Sequence, residues 1–329
     1  MLSDDCIRHT TKLQVLLAAC DTSEEREDVL RKIRAQIYPS RTRVEINDKL
    51  IKYAFNLSDA GTEALLGGET FRIVEKKDFK NMGDITTAYK ILNAAGYTIQ
   101  RPAREFDRDV LSVCISEQYA DNWCTTPAII YRGLTGKVGK GSDAKPSKEQ
   151  LAAIIDSIKF LMSRIIQYDA AELCQSMNLN NRQPIRGNDQ ILPAWFIESS
   201  TANGNDATVI FFDRECPLLK LAGAKKQMLT YESRFLDVPH QQNTFMNIEL
   251  KNYALRRVQE ILAHNQMRHI LTFGDIFSKC RIENASNDIK MNARNTLIAF
   301  FKHIKNESLI KDFELTKKRN AFYSIKFSF

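Results

Sequence analysis

The chain has 329 residues, 43% apolar and 26% charged, ordinary for a soluble globular protein and long enough for two or three domains. No run of about 18 apolar residues is present, and the start Met1-Leu2-Ser3-Asp4-Asp5-Cys6 has no basic segment followed by an apolar core, so neither a membrane span nor a signal peptide is predicted. The formal net charge of +7 is uneven: residues 248–329 hold 15 Lys and Arg against 8 Asp and Glu, whereas the first 247 residues hold 32 of each. The whole excess therefore sits in the last quarter, as a polyanion partner would require, since each neutralised phosphate releases counterions.

The seven cysteines (6, 20, 114, 124, 174, 216, 280) are scattered and never spaced as C-x-x-C. That pattern speaks against a disulfide framework or a zinc site and predicts a reducing, cytoplasmic setting.

Residues 1–100 read as a helical extension. Leu13, Leu16, Leu17 and Cys20 form one stripe; Val29, Leu30, Ile33 and Ile37 form a second that Pro39 ends. Ile46–Phe55 is a third candidate helix, and Phe71–Val74 a short strand. No recognisable chemistry falls here.

From residue 103 the signals sharpen. Glu105 opens a helix to about Tyr119. Thr125-Thr126-Pro127 then places a cap before a proline at the first helical position, Ile129, Ile130 and Leu134 face inward, and Gly136 stops the helix. After a Gly- and Lys-containing loop, Ser147-Lys148-Glu149-Gln150 is a capping box. It opens a third helix with Leu151, Ile154, Ile155, Ile158, Leu161 and Met162 inward. Strands follow at Ile165–Tyr168, Ile191–Glu198 and Thr208–Phe212, the last two joined across Asn203-Gly204, a hairpin signal. Helices, strand and hairpin in this order predict a winged helix over about 103–215, with a connector to residue 240. The tip of its hairpin is acidic to neutral, which suits dimerisation or partner contact better than DNA.

The C-terminal unit, 247–329, repeats the order. A helix spans Ile248–His264, with Leu250, Tyr253, Ala254, Val258, Ile261 and Leu262 on one side. A short apolar segment (Leu271, Phe273, Ile276, Phe277) follows. An amphipathic helix over about 286–305 then carries Ile289, Ala293, Leu297, Phe300, Phe301 and Ile304 at helical spacing. The closing segments alternate with period two and meet at Lys317-Lys318-Arg319-Asn320. The fold class expected is mainly α with small β-hairpins (α+β): tandem winged helices behind an N-terminal extension. In such a unit the second helix of the pair enters the major groove and the hairpin tip lies along phosphates. Asn287, Lys290, Met291 and Arg294 share one side of that helix, where Arg or Lys suits guanine O6/N7 and Asn suits adenine N6/N7. Lys317, Lys318 and Arg319 suit phosphates at the tip, and Lys251, Arg256 and Arg257 suit further backbone contacts.

Catalytic patterns are missing from the sequence. His9, His240, His264, His269 and His303 form no His-x-His pair of the kind a nicking enzyme needs. The glycines and lysines at 136–141 lack the spacing and the preceding strand of a phosphate loop. Glu105, Asp107 and Asp109 are explained by the helix dipole. A non-enzymatic protein with no metal and no cofactor is expected.

The runs Phe106–Leu111, Thr126–Arg132, Leu134–Gly136, Ser157–Met162, Leu236–Pro239, Ile248–Arg257, Leu309–Glu314, Lys317-Lys318 and Phe322–Ile325 resemble replication-protein-like sequences of phages and mobile elements of Gram-positive gut bacteria. The resemblance covers about residues 103–329. The architecture is similar to that of theta-type plasmid initiators with two winged helices, one of which contributes to dimerisation. These resemblances imply a sequence-specific double-stranded DNA-binding initiator that binds repeated origin sites as a homodimer and engages a host helicase or its loader. A transcriptional regulator of the same element, or a protein-interaction scaffold with incidental DNA contact, are the alternatives.

Overall fold

The computed structural model describes residues 39–46, 51, 92–93, 101, 103–138, 145–169, 186–200, 206–224, 228–263, 268–318 and 321–329. The helical stripes before residue 39, the strand expected at 71–74 and the Asn203-Gly204 turn lie outside them. The fold is mixed α and β, with small antiparallel sheets.

Local signals in the first unit act as the sequence implies. β1 (Thr42–Ile46) and β2 (Leu92–Asn93) precede helix α1 (Glu105–Tyr119), whose first turn is held by Asp107 accepting from the Arg104 backbone N–H at 2.8 Å. After β3 (Cys124–Thr125), Thr126 Oγ1 accepts from the Ile129 N–H at 3.2 Å and opens α2 (Pro127–Thr135). Gly136, at φ 77°, takes the left-handed turn that ends α2. The Ser147–Gln150 box is present in both directions and opens α3 (Lys148–Ser163). Strands β4 (Arg164–Asp169), β5 (Arg186–Gln190), β6 (Ala194–Ser200) and β7 (Asp206–Phe212) follow, then α4 (Pro217–Ala224) and β8 (Met228–Glu232). A short 3-10 turn at Ser233–Leu236 leads to the second unit.

That unit comprises α5 (Phe245–Ala263), β9 (Ile270–Thr272), α6 (Phe273–Lys279), α7 (Asn287–Asn306), β10 (Asp312–Lys318) and β11 (Ala321–Ser328). Its sheet runs β10-β11-β9, so the short strand after the first helix pairs with the last strand. The first unit has the same arrangement, β3-β7-β6, with β3 pairing β7. There, however, a β4–β5 hairpin, joined by β2, is inserted between α3 and β6. Strand β5 was not foreseen, because Arg-Gly-Asn-Asp-Gln has no β-propensity of its own.

Two apolar cores match the two units. One gathers Val110, Leu111, Ile130, Leu134, Ile158, Leu161, Ile210 and Phe212; the other gathers Leu250, Ala254, Val258, Ile276, Leu297, Phe300, Phe301, Ile325 and Phe327. Each Val, Leu, Ile or Phe among them contributes about 1.5–3 kcal/mol when fully buried. In the second core the Phe301 ring lies 5.6 to 5.8 Å from those of Phe300, Phe313 and Phe327, which ties α7 to both strands of the closing hairpin.

Two findings depart from the sequence reading. Residues 42–46 form a strand paired antiparallel with β8, so a piece of the expected extension and a piece of the expected connector make one sheet. Val44 and Ile46 sit in the first core. Ile46 thus closes a strand, where a helix was expected to begin.

Candidate nucleic-acid interface

Helix α5 is where the two units meet, and its cations divide sharply. Arg256 is 1% exposed; its Nη2 donates to Glu105 Oε2 at 2.7 Å and its Nη1 to Asp109 Oδ1 at 3.1 Å, both on α1. Lys251 is fully buried, with Nζ donating to the Leu236 carbonyl at 3.1 Å and to Asn243 Oδ1 at 3.0 Å. Burial lowers its pKa to about 8. Neither side chain reaches the surface, which corrects the expectation that Lys251 and Arg256 are backbone-contacting cations. The reason is that α5 packs against α1 on one side and α7 on the other, so positions outside its single apolar stripe are also covered. Arg257 is half-buried and paired with Glu260 one turn along the same helix.

The seam around Arg256 is rich in buried polar contacts. From β1, Arg43 donates to the Asp109 carbonyl (3.0 Å), to Ser112 Oγ (3.1 Å) and to Asn252 Oδ1 (3.2 Å). Asn252 in turn donates to the Leu134 carbonyl at the end of α2 at 3.0 Å. Burial pushes the Asp109 carboxyl well up, against the opposing pull of Arg256 and Arg43. Glu45, equally buried, is held low by the three guanidiniums of Arg256, Arg43 and Arg108, which outweigh its desolvation. Arg281, in the α6–α7 turn, donates to the Ala103 carbonyl at 2.7 Å, and the Phe106 and Phe245 rings meet edge to face at 5.4 Å. These contacts fix the start of α5 and the turn before α7 against the first unit.

Helix α7 packs against α5 within the second core. Ser286 caps it by accepting from the Ile289 N–H, and Gln241 and Asn247 hold it midway, through the Thr296 carbonyl (3.2 Å) and hydroxyl (3.0 Å). Of the side chains expected to share one reading side, Asn287 is exposed and Met291 is 53% exposed, whereas Lys290 and Arg294 are half-buried. The Arg294 guanidinium lies over the rings of Phe273 (5.8 Å) and Phe277 (5.5 Å) of α6. Asn292 and Asn295 are exposed as well, and Ile289, expected inward, is 41% exposed. Asn295 lies opposite Ala293, Leu297, Phe300 and Ile304 on the helix circumference, and Asn292 lies to one side of that direction.

The closing hairpin projects from the same unit. Its two acidic residues each face a lysine, Asp312 with Lys305 at 2.7 Å and Glu314 with Lys326 at 3.2 Å. Toward its far end β10 closes on Lys317 and Lys318. Lys317 is exposed; Lys318 is described as a strand residue, and Arg319 lies outside the described residues. Tyr323, 49% exposed on β11 beside the tip, was not singled out from the sequence.

The matching helix of the first unit is differently placed. Near the N-terminus of α3, Gln150 Nε2 donates to the Asn243 carbonyl at 2.6 Å, so the linker into α5 lies against it. Further along, Asp156 is engaged by Arg101 (2.9 Å) and Arg104 (3.1 Å). Among the described residues no helix is long and apolar enough to cross a membrane.

No family model matches the chain, and no curated protein matches it. Solved structures to which it is similar include the crystal structure of the RctB domains 2–3, at 12% identity and a TM-score of 0.38, covering 79% of this chain and 91% of that one. Another is a structure of selenomethionine derivatives of domain 2 and domain 3 of RctB, at 10% identity and a TM-score of 0.33, covering 79% and 90%.

Proposed function

We propose that the chain is a sequence-specific double-stranded DNA-binding protein whose C-terminal unit, a winged helix, lays α7 in the major groove and the β10–β11 tip along the phosphate backbone. One observation carries this reading. The quarter of the chain that holds the entire net charge of +7 has the order helix, strand, helix, helix, hairpin, with β9 hydrogen-bonded to β11. That order would bring an exposed helix face and a basic hairpin tip into one unit, as phosphate contact and base reading together require.

The first unit is a second winged helix in a non-reading role, as a dimerisation or partner surface. This is supported by its β3-β7-β6 sheet and by the linker lying across the start of α3. The biological role we favour is initiation of replication of a phage, plasmid or other mobile element. In that role a homodimer binds repeated origin sites and recruits a host helicase or its loader, with no catalytic step, metal or cofactor of its own. The sequence resemblance over residues 103–329 supports initiation over transcriptional regulation. Maintenance of a plasmid whose only origin is the element's own DNA tests it. Plasmid loss when the gene is deleted, with rescue in trans, is expected; retention without the gene leaves a regulator. Replacing Lys317, Lys318 and Arg319 together by Ala is expected to flatten the slope of log K against log salt by about two to three. An unchanged slope would remove the tip from the interface.

A further inference from the structure

The exposed face of α7 differs from what its basic composition suggests. At about 100° per residue, the direction opposite Ala293, Leu297, Phe300 and Ile304 is occupied by Asp288, Met291, Asn295 and Lys302, with Asn292 alongside. Arg294 falls about a quarter turn away, toward α6, and Lys290 lies further round, closer to the buried side. Arg294 is half-buried, its guanidinium spread over Phe273 and Phe277, and its Nε is buried with no hydrogen-bond partner. The centre of the face is thus amide and thioether, and the one arginine of the helix is held against a neighbouring helix.

We propose that α7 reads A·T pairs. Asn295 and Asn292 each present a carbonyl that accepts from adenine N6 and an NH₂ that donates to N7, while Met291 lies against the C5 methyl of a thymine. Asp288 is the one group on the face that selects a cytosine, by accepting from N4. Arg294 is a positioning residue that fixes α6 to α7. Lys302, about two turns beyond Asn295 toward the C-terminus, sits where a phosphate would flank the groove. The local excess of positive charge supplies the attraction to the duplex, and this neutral stripe supplies the choice of base. The inference rests on the winged-helix reading of the preceding subsection.

The test uses the full chain. Sites are selected from a duplex library randomised over the bound length, with sheared genomic DNA as competitor, and the best site is then remade with deoxyuridine replacing each thymidine in turn. Expected are an A·T-dominated core and a loss of about fourfold on removing one thymine methyl, the size of one buried methyl group. That loss should vanish in Met291→Ala. Asn295→Ala should reduce discrimination against a G·C pair at one position by about tenfold, leaving affinity for random DNA and its salt slope unchanged. Both positions are exposed, so the fold is expected to persist, which circular dichroism checks. A selected core dominated by G·C, or one whose recognition ignores both the methyls and Asn295, overturns this inference while leaving the DNA-binding reading intact. Failure to select any duplex over the competitor overturns both.

Discussion

The two adjacent arginines of α5 provide a sharp test, because sequence treats them alike and the structure does not. Arg256 is 1% exposed and bridges Glu105 and Asp109; Arg257 is half-buried and pairs within its own helix to Glu260. In Arg256→Met a side chain of similar length remains, but two carboxylates lose their cation. Breaking a buried pair in this way costs about 3–5 kcal/mol. Asp109, whose carboxyl burial already pushes well up, can take a proton and so relieve part of the penalty. A loss near the lower bound, about 3 kcal/mol, is expected at neutral pH, a large share of an ordinary stability of about 5–15 kcal/mol. Arg257→Ala removes an i,i+3 pair near the surface and is expected to cost under about 0.5 kcal/mol. Urea unfolding followed by far-ultraviolet dichroism measures both. In an Asp109→Asn background the cost of Arg256→Met should shrink, since the partner left behind is no longer an anion. If Arg256→Met unfolds at the wild-type midpoint while weakening DNA binding, Arg256 is a surface cation and the seam between the units is wrongly placed.

Other expectations follow from single positions. Gly136 has φ 77°, and a Cβ there would stand 2.6 Å from both the Asp237 nitrogen and the Ser233 oxygen, so Gly136→Ala should lower stability by more than about 1 kcal/mol. Gly274→Ala, whose Cβ would meet only Thr272 Oγ1 at 3.9 Å, should be neutral or stabilising by thermal melting. Glu249, pushed up to about 7 by burial and then by Glu105, is protonated at no cost below about pH 4.5 and loses stability as pH rises through 7. Glu249→Gln should therefore gain relative to wild type between pH 5 and pH 8, by up to about 2–3 kcal/mol; parallel urea midpoints at the two pH values would sink this account. Ser286→Ala removes the cap of α7 and should cost about 1 kcal/mol by denaturant unfolding, with no loss if the Ile289 N–H is satisfied by water instead.

Local chemistry was legible in the sequence wherever a short-range signal decides the outcome. Thr126-Pro127, Gly136 and the Ser147–Gln150 box mark helix ends that the structure places at the same residues. The amphipathic run at 286–305 is α7 to within a residue, and period two in the last residues gives the β10–β11 hairpin. What escaped is non-local. Thr42–Ile46 has no strand pattern strong enough to outweigh its helical neighbours, and it becomes a strand because β8, almost two hundred residues later, supplies its hydrogen bonds. The burial of Lys251 and Arg256 was hidden for a related reason: a single apolar stripe marks one covered side of a helix, and α5 has two. Arg43 and Glu45 are buried by the same seam. On α7, Asn287 and Met291 of the four residues expected to share a side are exposed, Lys290 and Arg294 are half-buried, and the exposed line continues through Asn295.

The most direct measurement is binding of the purified chain to DNA flanking its own gene, in competition with random duplex, across a salt series. The account predicts binding to a short repeated site that survives excess competitor, with log K falling steeply and linearly with log salt. Binding that is indifferent to sequence and disappears at modest salt would contradict it, leaving a basic surface with no reading helix.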